Sequence, residues 1–468
     1  MKEDFDRQDD SEVNQLIHRF EEMLKSSGNH FFDVGDYEDI IDYYLDISDL
    51  NKSGLAIQYA IEQHPYHHAF LLRKARLLAG SEKYERALQL LDQLEKPMGR
   101  DIDLILIRAG IFSQMKQYQK AIDAYLSIED IYEETAELYT NIAFEYENMG
   151  NYNKAVAYLK KAIELEPEND TILYELGYCF EVINRTEESV KFFLAYIDLN
   201  PYSDVAWFNL GIAYSNLELY EKAIEANDYV IAINEHFSSA YFNKANALAN
   251  LKRYEEAIEV YQESRNFEEP EPTTLYYIGE CYEKLERFEE AKDYYLKAVD
   301  LDIYYADAWM GLGAIAEESG DWPMAHHYMS KAVDAEPINA EYWYLLGDVQ
   351  VKLNLFDKAE VSYRKVAELD PRNTDIWLDL AEVVAAGTGI IEGLQEILHG
   401  MEVQSENALL VYRAAAYTFM LGHEKEGLII LEKALTMNFS EHSEFFDTWP
   451  EATERQDVQS LVESFKNP

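Results

Sequence analysis

The sequence predicts an all-α fold, a tandem array of antiparallel helix pairs, and three observations carry that expectation. Small residues recur with a period of 34 along most of the chain. Apolar residues flank them at helical spacing. Gly and Pro, the residues that interrupt helices, number only 20 and 11 among 468. At 48% hydrophobic and 13% aromatic, the chain has enough apolar surface to fold despite its acidity.

The first ladder of small residues reads Ala87, Ala121, Ala155, Ala223, Ala257, Ala291, Ala325 and Ala359, with Ser189, Gly393 and Gly427 on its other rungs. A second ladder, twelve residues upstream, reads Ala75, Ala109, Ala143, Gly177, Gly211, Ala245, Gly279, Gly313, Gly347, Ala381 and Ala415. Two small residues per period suit two antiparallel helices whose backbones approach closely at those points, where a bulky side chain would push them apart.

Counted from residue 204, Trp207, Leu210, Gly211, Tyr214 and Ala223 occupy positions 4, 7, 8, 11 and 20. Counted from 136, Tyr139, Ile142, Ala143, Tyr146, Ala155, Leu159, Ala162 and Pro167 occupy positions 4, 7, 8, 11, 20, 24, 27 and 32. Trp309, Trp343 and Trp377 repeat position 4, and Pro65, Pro201, Pro337 and Pro371 repeat the closing proline. This pattern resembles the tetratricopeptide repeat. The resemblance implies a right-handed superhelical solenoid of antiparallel helix pairs, with twelve repeats running from 34 to 441 without insertion. Repeats 1, 11 and 12 depart most, through Ile41 and Ser53 in the first and Gly393 and Gly427 in the last two, which puts their helix contacts in question.

A solenoid of helix pairs needs closures at its ends. Residues 1–33 are expected to form an N-terminal helical cap, with Val13, Ile17, Phe20 and Leu24 at helical spacing behind Ser11 as N-cap. Residues 442–468 are expected to form a C-terminal capping helix through Phe445, Phe446, Trp449, Val458, Leu461, Val462 and Phe465. Pro270 and Pro272 shorten the second helix of repeat 7 and leave room for a bend near 264–274, and the GTG at 387–389 fills the inter-helix turn of repeat 11.

The 89 Asp and Glu against 40 Lys and Arg leave a formal charge of −49. Nucleic acids and anionic membranes recruit Lys and Arg, so neither is expected as a partner. The acidic start MKEDFDRQDD is unlike a secretory signal, and two cysteines are too few for a disulfide framework, so a cytoplasmic protein is expected. Phosphate-loop, nucleophile-elbow, zinc-protease and calcium-loop patterns are absent from the sequence, so no catalytic residue and no cofactor is expected. His64, His67 and His68 are separated by Pro65, and they and the His326 and His327 pair read as surface residues with no metal. Cys179 and Cys281, both at position 10, read as buried packing residues.

The resemblance places positions 2, 5, 6, 9, 12 and 13 on the concave face. Position 5 then supplies Tyr174, Phe208, Phe242, Tyr276 and Tyr344, and positions 6 and 9 supply Asn141, Asn209, Asn243 and Asn246. Acids join them at Glu175, Glu181, Glu280, Glu283, Glu317, Asp348, Asp379 and Glu382. Asparagine amides standing in water can bond both backbone groups of an extended peptide, and aromatic faces ringed by carboxylates attract Lys and Arg. The expected function is a non-catalytic scaffold or adaptor that holds an extended, basic or mixed basic and apolar segment of a partner protein. The alternatives are a holdase for basic or unfolded clients, consensus asparagines and acids that only solvate a surface, and an enzyme of unrecognised type. A clamp for a terminal carboxylate is disfavoured, because after repeat 3 the only cation at position 6 is Arg413.

Overall fold

The computed structural model describes residues 2–26, 30–132, 135–264 and 271–466. Among these there is no strand, and twelve helix pairs follow one another. They fall into two compact bodies, Met1–Asn234 and Glu235–Pro468. Each first helix begins at the residue the 34-residue register assigns. In the first body these are Val34–Asp46, His68–Gly80, Ile102–Gln114, Ala136–Asn148, Asp170–Val182 and Asp204–Asn216. In the second they are Ser238–Asn250, Pro272–Lys284, Ala306–Glu318, Ala340–Lys352, Thr374–Gly387 and Ala408–Met420.

Local chemistry explains those starts. Asp101, Thr135, Asn169, Ser203, Asn339, Asn373 and Asn407 each accept a backbone N–H of the first turn that follows. Such a cap is worth about 1 kcal/mol relative to alanine. The closing proline and the position 4 tryptophan are also linked. The indole N–H of Trp207 donates to the carbonyl of Pro201, that of Trp343 to Pro337 and that of Trp377 to Pro371, each at 3.0 Å.

The turn between the two helices of a repeat is left-handed at position 15. There the N–H of position 16 reaches the carbonyl of position 11, as from Lys83 to Leu78, Gln117 to Phe112 and Leu219 to Tyr214. Glycine occupies the left-handed site at Gly150, Gly320 and Gly422, but Glu82, Lys116, Glu218, Lys252 and Glu286 adopt the same sign of φ without it. In repeat 11 the first helix extends to Gly387, and Gly389 takes a φ of +139° instead.

Every alanine on the two ladders is fully buried. The glycines mark the tightest approaches. A Cβ added to Gly279 would lie 2.6 Å from the Tyr295 ring, one on Gly313 2.7 Å from Met329, and one on Gly211 2.8 Å from the Asn227 amide. Gly311 meets the opposite edge of Tyr295, so that ring sits between two bare backbones. In repeats 11 and 12 the glycines tighten the contact: a Cβ on Gly393 would sit 2.7 Å from the Ala381 carbonyl, and one on Gly427 2.6 Å from Phe419. Within each body first helices also pack directly on each other, as Asp170–Val182 does on Asp204–Asn216 and Pro272–Lys284 on Ala306–Glu318, which makes their side the inner one.

At the N-terminal end a helix covers residues Lys2–Ser26. The expected N-cap at Ser11 is therefore incorrect, because Ser11 lies inside the helix. Phe20 is fully buried among the rings of Phe32, Tyr37, Tyr44 and Tyr59. At the other end, Phe445 and Val458 are fully buried, and Trp449 stacks on Phe419 at 5.0 Å. Residues 442–466 form no single helix: the 3-10 turn Pro450–Glu454 separates Ser443–Thr448 from Gln456–Lys466. Of the stretch 264–274, residues 265–270 lie outside the described residues; Pro272 opens the next helix at its first position.

Two substitutions probe these constraints with opposite signs. Gly279→Ala should lower stability by about 1–3 kcal/mol, since the Tyr295 ring is held at both edges and has nowhere to retreat. Glu218→Gly should raise it by about 1 kcal/mol, because glycine carries no steric penalty at a φ of +58°. Thermal melts of both variants check the pair.

Candidate functional site

In the second body, tyrosines at position 24 of the second helices reach through to the inner face. The Tyr363 hydroxyl donates to Asp348 at 2.5 Å, that of Tyr295 to Glu283 at 2.8 Å, and that of Tyr261 to the Asn246 side-chain oxygen. Tyr344, from a first helix, donates to Asp379 at 2.6 Å, and Tyr342 donates to Asp307. Rings join these bonds into a continuous surface: Phe242 meets Tyr277 at 5.6 Å, Tyr276 stacks on Tyr295 at 5.6 Å, and Tyr344 packs on Tyr363 at 5.7 Å.

The carboxylates on this surface are uncomfortable. Burial raises the pKa of Glu280 against the opposing charge of Lys284, with Glu283 and Asp307 adding to the rise. Burial also raises Asp348 against the opposing hydrogen bond from Tyr363. Asp379 is raised by burial and further by Asp348, Glu382 and Asp375, against the bond from Tyr344. A cation brought from outside would relieve all three.

In the first body, Tyr174 and Phe208 meet edge to face at 6.3 Å. Both line a cavity of about 170 Å3 between Asp170–Val182 and Asp204–Asn216, whose lining also includes Asn209, Glu181, Thr186 and Ser189. Asn209 is buried, which corrects the expectation that the groove amides stand in water. Its Nδ2 donates to the Val205 carbonyl at 2.9 Å and the Leu173 carbonyl at 3.4 Å. Gly177 is what admits it, because a Cβ there would collide with the Asn209 side-chain oxygen. Asn246 is likewise engaged, by Tyr261, whereas Asn141 and Asn243 are half-buried on their first helices.

Glu175 belongs to a different environment. It lies half-buried near Glu147, which accepts from the Cys179 thiol at 3.4 Å. Burial and Glu147 push that thiol well above its usual range, and burial pushes Cys281 up to about 12, so both stay protonated and pack as small apolar groups. His64 bonds the Phe32 carbonyl through Nε2 at 2.8 Å, and burial lowers the pKa of His326. Arg413 is buried between Glu444, at 2.6 Å, and Glu382, at 3.5 Å, so its charge is already paired within the chain.

Sequence reasoning named the aromatics and acids of the inner face but missed the position 24 hydroxyls that hold them. The signal was present, since Tyr261, Tyr295 and Tyr363 stand sixteen residues after Ala245, Gly279 and Gly347 on the small ladder.

The raised pKa values carry a sign that can be checked. A carboxylate whose folded pKa lies above its unfolded value contributes stability below the unfolded value and loses it as pH rises through the folded one. Asp348→Asn should therefore raise Tm at pH 7 and converge with wild type below about pH 4. Asn246 already accepts from Tyr261 in the equivalent place, so the hydrogen bond survives the change. Melting curves across that range decide the matter, and a Tm that falls at pH 7 would contradict the assignment.

Comparison with known proteins places this architecture. Tetratricopeptide repeat models match residues 136–169 and 272–303, 192–225, 238–264 and 310–374. No curated protein matches the chain. Among solved structures it is similar to the Cut9–Hcn1 hetero-tetramer of the APC/C, at 14% identity over 88% of this chain and 94% of that one, with a TM-score of 0.39. It is similar to YrrB, described as a TPR protein with an unusual peptide-binding site, at 20% identity over 39% and 95%, with a TM-score of 0.32. The C-terminal part of a TPR repeat-containing protein from Cytophaga hutchinsonii matches at 19% identity over 55% and 99%, with a TM-score of 0.43. With its matched repeats, its register and its consecutive helix pairs, the chain is built of tandem tetratricopeptide repeats.

Proposed function

We propose that this protein is a non-catalytic scaffold whose inner face holds an extended, basic or mixed basic and apolar segment of a partner protein. The observation that carries this reading is the set of desolvated carboxylates Glu280, Asp348 and Asp379 beside the rings of Tyr276 and Tyr344. Charges that cost stability in the free protein are the ones a bound Lys or Arg would satisfy, through ion pairing and the ring faces together. Asn243, half-buried on its first helix, would bond a backbone group of the same segment. Buried Asn209 would act through its one remaining acceptor.

A holdase for basic or unfolded clients is supported by apolar side chains exposed in the turns, Leu199 and Tyr202 in one body and Ile303, Tyr304 and Ile338 in the other. It differs in requiring broad binding that ignores the three carboxylates.

The two properties can be set against each other. In the triple variant Glu280→Gln, Asp348→Asn, Asp379→Asn, a Lys- and Arg-rich probe peptide should bind more weakly while Tm at pH 7 rises. Binding to wild type should weaken with added salt, as exposed charges are screened beyond about 8–10 Å. A triple variant that binds like wild type, or an acidic probe peptide held equally well at high salt, would count against the reading.

A further inference from the structure

The cavity between Asp170–Val182 and Asp204–Asn216 has features that the repeat architecture alone does not require. It is large enough for one side chain, being close to the about 150 Å3 that admits a benzene ring in an engineered core. Its walls are mostly apolar, with Phe180, Phe208, Ile212 and Ala213 among them. Among its polar lining residues Asn209 is the one whose orientation is fixed. Both bonds of the Asn209 amide nitrogen go to backbone carbonyls, which fixes the amide with its oxygen turned toward Gly177, itself part of the cavity lining. That oxygen is an acceptor on a side chain more than nine-tenths buried.

Beside it, Ser189 places a hydroxyl on a rung of the small ladder where eight other repeats carry alanine. Glu181 supplies a carboxylate to the wall. The Asn209 oxygen, the Ser189 and Thr186 hydroxyls and the Glu181 carboxylate offer acceptors to an occupant that brings donors on an apolar stem, and the Asn216 amide shares the lining.

We propose that this cavity, on the inner face of the first body, is the anchoring pocket for one lysine side chain of a bound basic segment. Lysine carries four methylenes and ends in three donors with no acceptor. The stem packs on Phe208 and Ile212, the ammonium meets the Asn209 oxygen and the Ser189 hydroxyl, and Glu181 balances the charge. An apolar side chain of the same length would leave the Asn209 acceptor desolvated and unpaired, which disfavours it. This inference rests on the reading of the inner face as a site for basic segments and names the residue that face selects.

The test uses the full chain and short fluorescent peptides rich in Lys and Ala, in which single lysines are replaced in turn by norleucine or acetyl-lysine. At physiological salt, one position should stand out with a loss of about tenfold, the size of one charge-assisted hydrogen bond. In Ile212→Trp, which fills the cavity, and in Glu181→Gln, that preference should shrink toward the level of the other positions. Glu164→Gln removes the same charge from an exposed site on a second helix and should leave the preference intact. If the basic peptides bind but both cavity variants keep the full preference, the pocket is not the anchor and the broader reading stands. If no basic peptide binds wild type, both are overturned.

Discussion

The distance between the two helices of a repeat is set where small residues at positions 8 and 20 let backbones approach, and most of what this chain presents on its inner face follows from that distance. With alanines fully buried on both ladders, a ring at position 24 of the second helix can pass beside the first helix and emerge among its inward side chains. Tyr295 does so between Gly279 and Gly311. Its hydroxyl then meets Glu283, as Tyr363 meets Asp348 and Tyr261 meets Asn246. One packing constraint thus produces both the core and the orientation of the surface.

This arrangement ties stability to binding in opposite directions. A carboxylate held in place by a tyrosine is partly removed from water before any ligand arrives, so its charge is costly in the free protein. The same carboxylate needs little further ordering when a cation comes, and preorganisation of that kind favours association. Asp379 shows it most clearly, with Tyr344 fixing its position and Asp348, Glu382 and Asp375 raising its pKa. The buried Glu145, with one carboxylate oxygen unpartnered, shows the same strain at a place away from these residues and marks how acidic the interior of this chain is allowed to be.

The repeat architecture was legible in the sequence because close backbone approach tolerates so few residue types. The ladder of Gly and Ala placed every first helix at its observed start, and the position 4 tryptophan and closing proline, named separately in the sequence, are joined in the structure by the bond from the Trp207 indole N–H to the Pro201 carbonyl. The site was legible in part. Aromatics and acids could be assigned to the inner face, but the state of each polar group could not, since it depends on residues far apart in sequence. Asn209 read as an open amide, yet Gly177, over thirty residues earlier, admits it into a buried slot. Left-handed turns at Glu218 and Lys252 carried no local signal at all, because the helix pair imposes the geometry on residues that do not prefer it. Ser11 failed as a helix start for the converse reason: a good capping residue does not end a helix that its neighbours favour.

The claim on which the rest stands is that the inner face is held by hydroxyls from the second helices, and the pair Tyr261 and Asn246 offers the cleanest access to it. Hydrogen exchange over the helix Ser238–Asn250 can be measured in wild type, Asn246→Ala, Tyr261→Phe and the double variant. The account predicts that the two losses of protection are not additive, because either substitution alone removes the shared bond. Additive losses would show that the two residues act independently and would contradict it.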